Sequence, residues 1–449
     1  MKIKRHTLIY IIIIGAILAL HTMLLLCRST AQAMSFLAAS APTAAASVLM
    51  LLYISDEDSP YAAASVILFC FLAVTGTALQ LMNGSRSVFK LLLDNTAAVG
   101  VAAACLMGFR CFLKGRLNSK ARFLYAMYAD VGVMTSLILI LLLFAPQVNG
   151  ARNWLFIGSH SIQLTELIKL LFFLFLYLLV QCEQSVFFKL RTGLITLFLL
   201  GLGFAALNEL ATFVVMLLSF IWVSFVYFNT RVSICMLALT VIASAAVFFL
   251  ISGYYPTAAA KESPGMFDAL IVKAYDRIAI SDRYQQNSAL KMMINGGLFG
   301  CDPSYTIYVF AEESDFALAS LCQYYGIIFC VATIAGTALI PAMTAAAAKD
   351  SELNNTSDFK LAVIAGTILS SAALLNAGSC AGVIGACGIG FPFLSAGGTQ
   401  GIVDLTLAAF IATGFCKKQS ASFDWKSIFI KRRTRRYYHE KHAKEVLYP

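Results

Sequence analysis

Apolar runs of about 20 residues follow one another along almost the whole chain, and this repetition restricts the fold more than any single motif does. A run of that length crosses the hydrocarbon of a bilayer as one helix, whose backbone hydrogen bonds are satisfied internally. A membrane barrel would need strands that alternate apolar and polar side chains, and these runs do not alternate. Composition agrees: of 449 residues, 60% are hydrophobic and 12% charged, too few polar groups to cover a water-soluble globule. The expected fold is an all-α polytopic membrane protein of about twelve transmembrane helices.

The runs place spans near residues 8–27, 34–54, 61–82, 89–113, 122–145, 162–181, 192–207, 210–228, 232–252, 316–346, 360–385 and 399–416, with the seventh and eighth short. Lys2, Lys4 and Arg5 before the first run and Ala31-Gln32-Ala33 after it outline a secretory signal peptide. The apolar core is longer than the roughly 7–15 residues usual there, so a retained anchor is expected. Basic residues set the orientation. An N-terminus in the cytoplasm also puts Lys114, Arg116, Lys120, Arg122, Lys189, Arg191, Arg231 and the C-terminal tail inside. The acidic turn Asp56-Glu57-Asp58 falls on the same side, but acidic residues weigh little in that rule. The chain divides into an N-terminal two-helix segment (1–60), a transmembrane core (61–416) with a long extracytoplasmic loop (253–315), and a basic cytoplasmic tail (417–449). The net charge is +10, and Lys431-Arg432-Arg433 with Arg435-Arg436 would meet anionic membrane lipid at roughly 1 kcal/mol per side chain. Lipid, and not nucleic acid, is the expected polyanion.

The twelve cysteines form no framework: most stand singly within apolar runs, without C-x-x-C and without histidines at ligand spacing, and read as small hydrophobes. Chemistry is expected in the long loop, because loops of that length in a compact bundle tend to be functional. Within it, Met266 to Ile294 spaces apolar residues among Lys273, Asp276, Arg277, Asp282, Arg283 and Lys291, a pattern for interfacial helices. Charges inside the bundle are costly, about 2.5–3.5 kcal/mol each on insertion scales. Gln163, Glu166 and Lys169 share one helical face at the outer end of the sixth span, where the two charges would pair or face a watery cleft. Glu209 lies at the next outer turn, and Glu312, Glu313 and Asp315 lie where the long loop meets the membrane. Three segments thus bring carboxylates to one side.

These residues resemble the SEDS proteins, the RodA, FtsW and SpoVE type of peptidoglycan glycosyltransferase. Asn149-Gly-Ala-Arg-Asn-Trp154 followed by Gln163-Leu-Thr-Glu166 and Lys169 is similar to that family's NGARRW…QPSExxK. In order along the chain, Leu207 to Thr212 resembles QPDLGT, Gln286 to Gly300 resembles QS..AI..GGL.G, Ser314-Asp315-Phe316 resembles HTDF, and Asn376 with Gly388 to Gly398 resembles N…G.P.PF.SYGG. The likeness covers about residues 61–416, leaving the first two spans as an addition to a ten-helix core. The departures crowd around the expected centre: Leu164 and Thr165 for Pro-Ser, Glu209 and Ala211 for Asp and Gly, Glu313 for His, Gln323-Tyr324-Tyr325-Gly326 for Glu-Glu-Leu-Gly, and Ala396 for Tyr.

The resemblance implies polymerisation of lipid II on the outer face of a bacterial plasma membrane, with both termini cytoplasmic. Asp315 matches the family's essential aspartate and is the expected general base. The expected substrate-binding residues are Arg152, Arg277 and Arg283 for the pyrophosphate, with Glu166, Lys169, Glu209, Gln286, Ser395 and Gly397. Gly296, Gly297, Gly300, Gly397 and Gly398 suit either close backbone approach to a head group or tight turns. No metal-ligand pattern is present and the residues require no cofactor, with a divalent cation such as Mg2+ at the pyrophosphate left open. A single-span class B penicillin-binding protein is the implied partner. A lipid II flippase and a catalytically silent scaffold for a transpeptidase are the alternatives, the latter favoured by the departures at Glu313 and Gln323 to Tyr325.

Overall fold

The computed structural model describes residues 5–416, except 55–59, 85, 117–119, 149–150, 159, 229, 302–304 and 355, and within 262–283 it describes only 265, 268, 271–272 and 275. The expected arginines Arg277 and Arg283, the basic tail, and about half of the expected interfacial stretch lie outside the described residues.

Helices account for nearly all the regular structure. In chain order they are α1 (Arg5–Leu26), α2 (Thr30–Tyr53), α3 (Pro60–Met82), α4 (Val88–Arg116) and α5 (Lys120–Phe144), then the strands β1 (Trp154–Ile157) and β2 (His160–Gln163). There follow α6 (Leu164–Gln181), α7 (Val186–Ala206), α8 (Leu210–Tyr227), α9 (Thr230–Ala259), α10 (Tyr284–Asn295), α11 (Ala317–Tyr325), α12 (Ile327–Ala347), α13 (Ser351–Asn354), α14 (Ser357–Cys380) and α15 (Gly398–Gly414). Ten of those among the described residues are long and apolar enough to cross a membrane. Reading α9 and the 17-residue α15 as spans too gives the expected bundle. The protein is a multi-pass membrane protein.

Local chemistry sets the helix ends. Pro60 opens α3, where its missing N–H costs nothing. Ser185 and Thr356 accept from the Phe188 and Phe359 amides, capping α7 and α14. The Ser185 cap lengthens the seventh span beyond the expected 192–207. Its basic end is accommodated because Lys189 Nζ donates to the Val180 carbonyl at 2.9 Å. The tenth span is not the continuous helix expected over 316–346. It breaks at Gly326, whose φ of 88° no helix can hold, into α11 and α12. Gln163 likewise ends a strand: β1 and β2 pair antiparallel across Gly158, with Trp154 opposite Gln163.

The core is one continuous layer of buried apolar side chains. α15 sits inside it, packed along α4 and α14, while α8 and α12 flank α14 and α5 lies against α6 and α7. α1 and α2 pack on each other and on α3, and α2 also runs along α4. At one end of the bundle hydrogen bonds join the segment 145–163 to the turn at 207–209, through Arg152 N to Leu207 O, and the turns at 296–316 and 381–397, through Ser395 Oγ to Ser314 O, while Ser320 Oγ of α11 reaches Asn83 Oδ1.

Candidate functional site

Asp315 sits two residues before α11, in a knot of turns. Ala311 takes φ 63°, and the amides of Ser314 and Phe316 both donate to its carbonyl. Three successive carbonyls of this knot are held from across the bundle end. The Ala396 amide donates to Glu313 O at 2.6 Å, Ser395 Oγ to Ser314 O at 2.7 Å, and Asn376 Nδ2 to Asp315 O at 2.8 Å. Asn376, fully buried in α14, gives its second proton to Ile389 O at 2.6 Å, and Cys380 Sγ approaches Asp315 O at 3.8 Å. The Asp315 carboxylate is half-buried, with Oδ2 beside Gly388, a residue at φ 63° that presents no side chain. Neighbouring Glu312 is buried; desolvation pushes its carboxyl up, the Val309 amide opposes the shift, and Glu313 adds to it.

The glycine-rich turn after α10 packs against α11. A Cβ at Gly296 would overlap the Cys322 carbonyl, one at Gly300 would overlap that of Tyr324, and Ile327 N donates to Gly297 O. Gln323, a departure from the family pattern, is fully buried. Its Oε1 accepts from Ile307 N at 2.8 Å and its Nε2 donates to Ile307 O at 3.1 Å, so it fastens the loop to the helix. Gln286 reaches Ser379 O and Ile384 O at 3.2 and 2.6 Å, fastening α10 to the end of α14.

On α6, Lys169 and Glu166 form a buried ion pair at 2.6 Å one turn apart. Asp404 of α15, also buried, accepts from Phe393 N at 2.9 Å and lies within electrostatic reach of both. Sequence reasoning passed over Asp404, although a lone carboxylate in the last apolar run was a signal. It also passed over Arg86, which pairs with Asp94 beside the start of α15 at Gly398. Asp130 of α5 is buried, and neither oxygen has a hydrogen-bond partner among the described residues.

Arg152 is exposed, its guanidinium donating to Leu142 O at 2.9 Å and its amide to Leu207 O. Glu209, buried at the start of α8, accepts from Asn153 Nδ2 at 3.1 Å and from Thr212 Oγ1 at 3.4 Å, joining the β-hairpin region to the α7–α8 turn. Gly397 precedes α15, and Thr399 Oγ1 accepts from Gln163 N at 3.3 Å. Ser395, Gln286 and Asp315 thus meet around α14, while Glu166 and Lys169 approach the same loop from the side of α15.

Comparison with known proteins gives consistent results. The FtsW, RodA and SpoVE family profile, described as "Cell cycle protein", matches residues 61–414. A probable peptidoglycan glycosyltransferase FtsW of Enterococcus hirae is 25% identical over 291 residues, 62% of this chain and 71% of the relative. One from Pseudoalteromonas translucida is 25% identical over 283 residues, 61% and 69% of the two chains. Among solved structures, a chain of a peptidoglycan synthase complex that coordinates polymerization and crosslinking aligns with TM-score 0.57 and 18% identity, covering 78% of this chain and 98% of that one. The rod shape determining protein RodA of Thermus thermophilus aligns with TM-score 0.50 and 19% identity, covering 77% and 94%. At such identities the structural likeness is one of fold.

Proposed function

Because the chain belongs to the FtsW, RodA and SpoVE family of cell cycle proteins, we propose that it is a peptidoglycan glycosyltransferase that polymerises lipid II, with Asp315 as general base. In this reading Asp315 takes the proton of an acceptor sugar hydroxyl as its oxygen bonds to the donor's anomeric carbon. The bond from that carbon to the pyrophosphate oxygen breaks, and polyprenyl pyrophosphate leaves. The observation that carries the reading is the grip on the Glu313, Ser314 and Asp315 carbonyls, which fixes a half-buried carboxylate where the loops of one bundle end meet. A positioned base contributes roughly 10²–10⁴-fold.

Arg152, with Arg277 and Arg283 of the long loop, supplies guanidiniums for the pyrophosphate, and Arg86 joins them from the α3–α4 turn. The Glu166–Lys169 pair, leaned on by Asp404, supports the 388–397 loop and is not placed in the proton transfer. The described residues hold no cluster of three or more metal-ligating side chains, and no step is routed through a cation. The proposed setting is a bacterial plasma membrane with both termini cytoplasmic and the site outside, and the proposed partner is a class B penicillin-binding protein.

Labelled lipid II incubated with the purified chain, with and without a cognate transpeptidase, tests the reading. Wild type should make glycan strands, and folded Asp315→Ala should make none. Wild type that makes no polymer even with its partner overturns it in favour of a flippase or a scaffold.

A further inference from the structure

The N-terminal hairpin of α1 and α2 precedes the segment matched by the family profile, yet its polar side chains converge on one short helix of the site. His21 of α1 is fully buried, with Nδ1 donating to Ile17 O at 2.9 Å and Nε2 meeting Thr75 Oγ1 of α3 at 3.0 Å. Its ring lies 5.8 Å from Tyr325 of α11 and 5.8 Å from Phe329 of α12, with Phe36 of α2 and Phe71 of α3 closing the box. In the turn after α1, the Arg28 guanidinium stands 4.8 Å over the Tyr324 ring. The hairpin therefore grips the last two residues of α11. Those two tyrosines stand where the sequence resemblance expects Glu and Leu, so the added helices and the altered residues touch each other.

α11 has nine residues and ends on Gly326, whose φ of 88° makes the joint to α12. At about 1.5 Å per residue it is a rod about 14 Å long, with Asp315 at the far end. A pivot of about 4° at the joint would move Asp315 by about 1 Å, and a misplacement of that size costs roughly 10²-fold in rate. We propose that the N-terminal hairpin is a brace that positions Asp315 through α11, with His21 and Arg28 as its positioning residues. The rate consequence rests on Asp315 being the base; the mechanical one does not.

The test uses the full chain carrying His21→Leu, Arg28→Gln or both, with Arg28→Lys as the conservative variant and Met23→Ala on the exposed side of α1 as control. Backbone hydrogen exchange over 311–325 is compared with exchange over 164–181, beside kcat and KM for lipid II. The double variant should exchange at least about 10-fold faster over 311–325 and unchanged over 164–181. Its kcat should fall about 10- to 100-fold with KM within about threefold, and Arg28→Lys should stay near wild type. If the double variant fails to fold, Arg28→Gln alone should show the same local loosening. Unchanged exchange over 311–325, or equal loosening throughout, overturns the brace even where wild type polymerises. Inactive wild type would sink the proposed function, while the exchange data would still decide the brace.

Discussion

Asn376→Ala removes the side chain that links the Asp315 carbonyl to Ile389 of the 388–397 loop. The amide is fully buried and makes two short bonds, to Asp315 O at 2.8 Å and Ile389 O at 2.6 Å. Each buried carbonyl left unpaired costs about 1–3 kcal/mol. The long Cys380 thiol contact relieves only the Asp315 carbonyl, so a total near 3 kcal/mol is expected. For a bundle of this size that is a fall of about 3 °C in thermal midpoint, leaving a folded protein at room temperature. The catalytic cost should be larger than the stability cost suggests, because freeing the peptide lets the carboxylate drift by about 1 Å and lowers kcat by roughly 10²-fold while KM changes little. Asn376→Asp keeps the shape but turns a donor towards two carbonyls into an acceptor, and should be at least as damaging. The assay pairs a thermal melt in detergent with lipid II polymerisation under saturating substrate. A folded Asn376→Ala protein with kcat within about threefold of wild type would refute the idea that this amide sets the aspartate's position.

Further outcomes follow from the same geometry. Glu312 has its pKa raised above 4.5 by burial, so the folded state favours its protonated form and the associated stability is lost as pH rises through the folded pKa; Glu312→Gln should raise the melting midpoint at pH 7 and match wild type below about pH 4, and equal midpoints at pH 7 would contradict this. Gly76→Ala sets a methyl against the Phe393 carbonyl, which should part α3 from the site loop at a cost of about 1–3 kcal/mol and lower polymerisation; a melt indistinguishable from wild type would show that the two segments yield freely. Lys169→Met strands the buried Glu166 without its cation and should cost about 3–5 kcal/mol, much of which adding Glu166→Gln should recover. Additive melts in that double-mutant cycle would dissolve the coupling.

The spans and the order of the site blocks could be read from the sequence because both are set by local patterns: apolar runs of bilayer length, and blocks held at fixed spacing. The break at Gly326 could not be read. Residues 316–346 are apolar on both sides of it, and a single glycine inside such a run is ordinarily tolerated, so only the backbone reveals the left-handed joint. Gln163 was placed on the face of Glu166 and Lys169 by helical spacing, but Gly158 turns the chain and pairs 160–163 as a strand, moving Gln163 off the helix. Asp404 and His21 were hidden for a different reason. Each is a single His or Asp in a largely apolar run, and its partners come from helices far away in sequence, such as Thr75 for His21 and the Glu166–Lys169 pair for Asp404.

What holds the site together is a set of neutral amides. Non-helical backbone near a bilayer must find partners inside the protein, and here the unwound segments at 305–316 and 381–397 find them largely in Gln80, Gln286, Gln323, Asn376 and Gln400. Gln80 donates to Leu394 O and Ser395 O, Gln400 to Phe391 O, and Gln286, Gln323 and Asn376 bridge as described. An amide carries two protons and no net charge, so it can link two carbonyls at far lower desolvation cost than an ammonium or guanidinium. The arrangement also separates support from chemistry. The amides do not titrate and are screened little by salt, so the loop geometry should stay fixed across the pH range in which Asp315, as the proposed base, would exchange a proton.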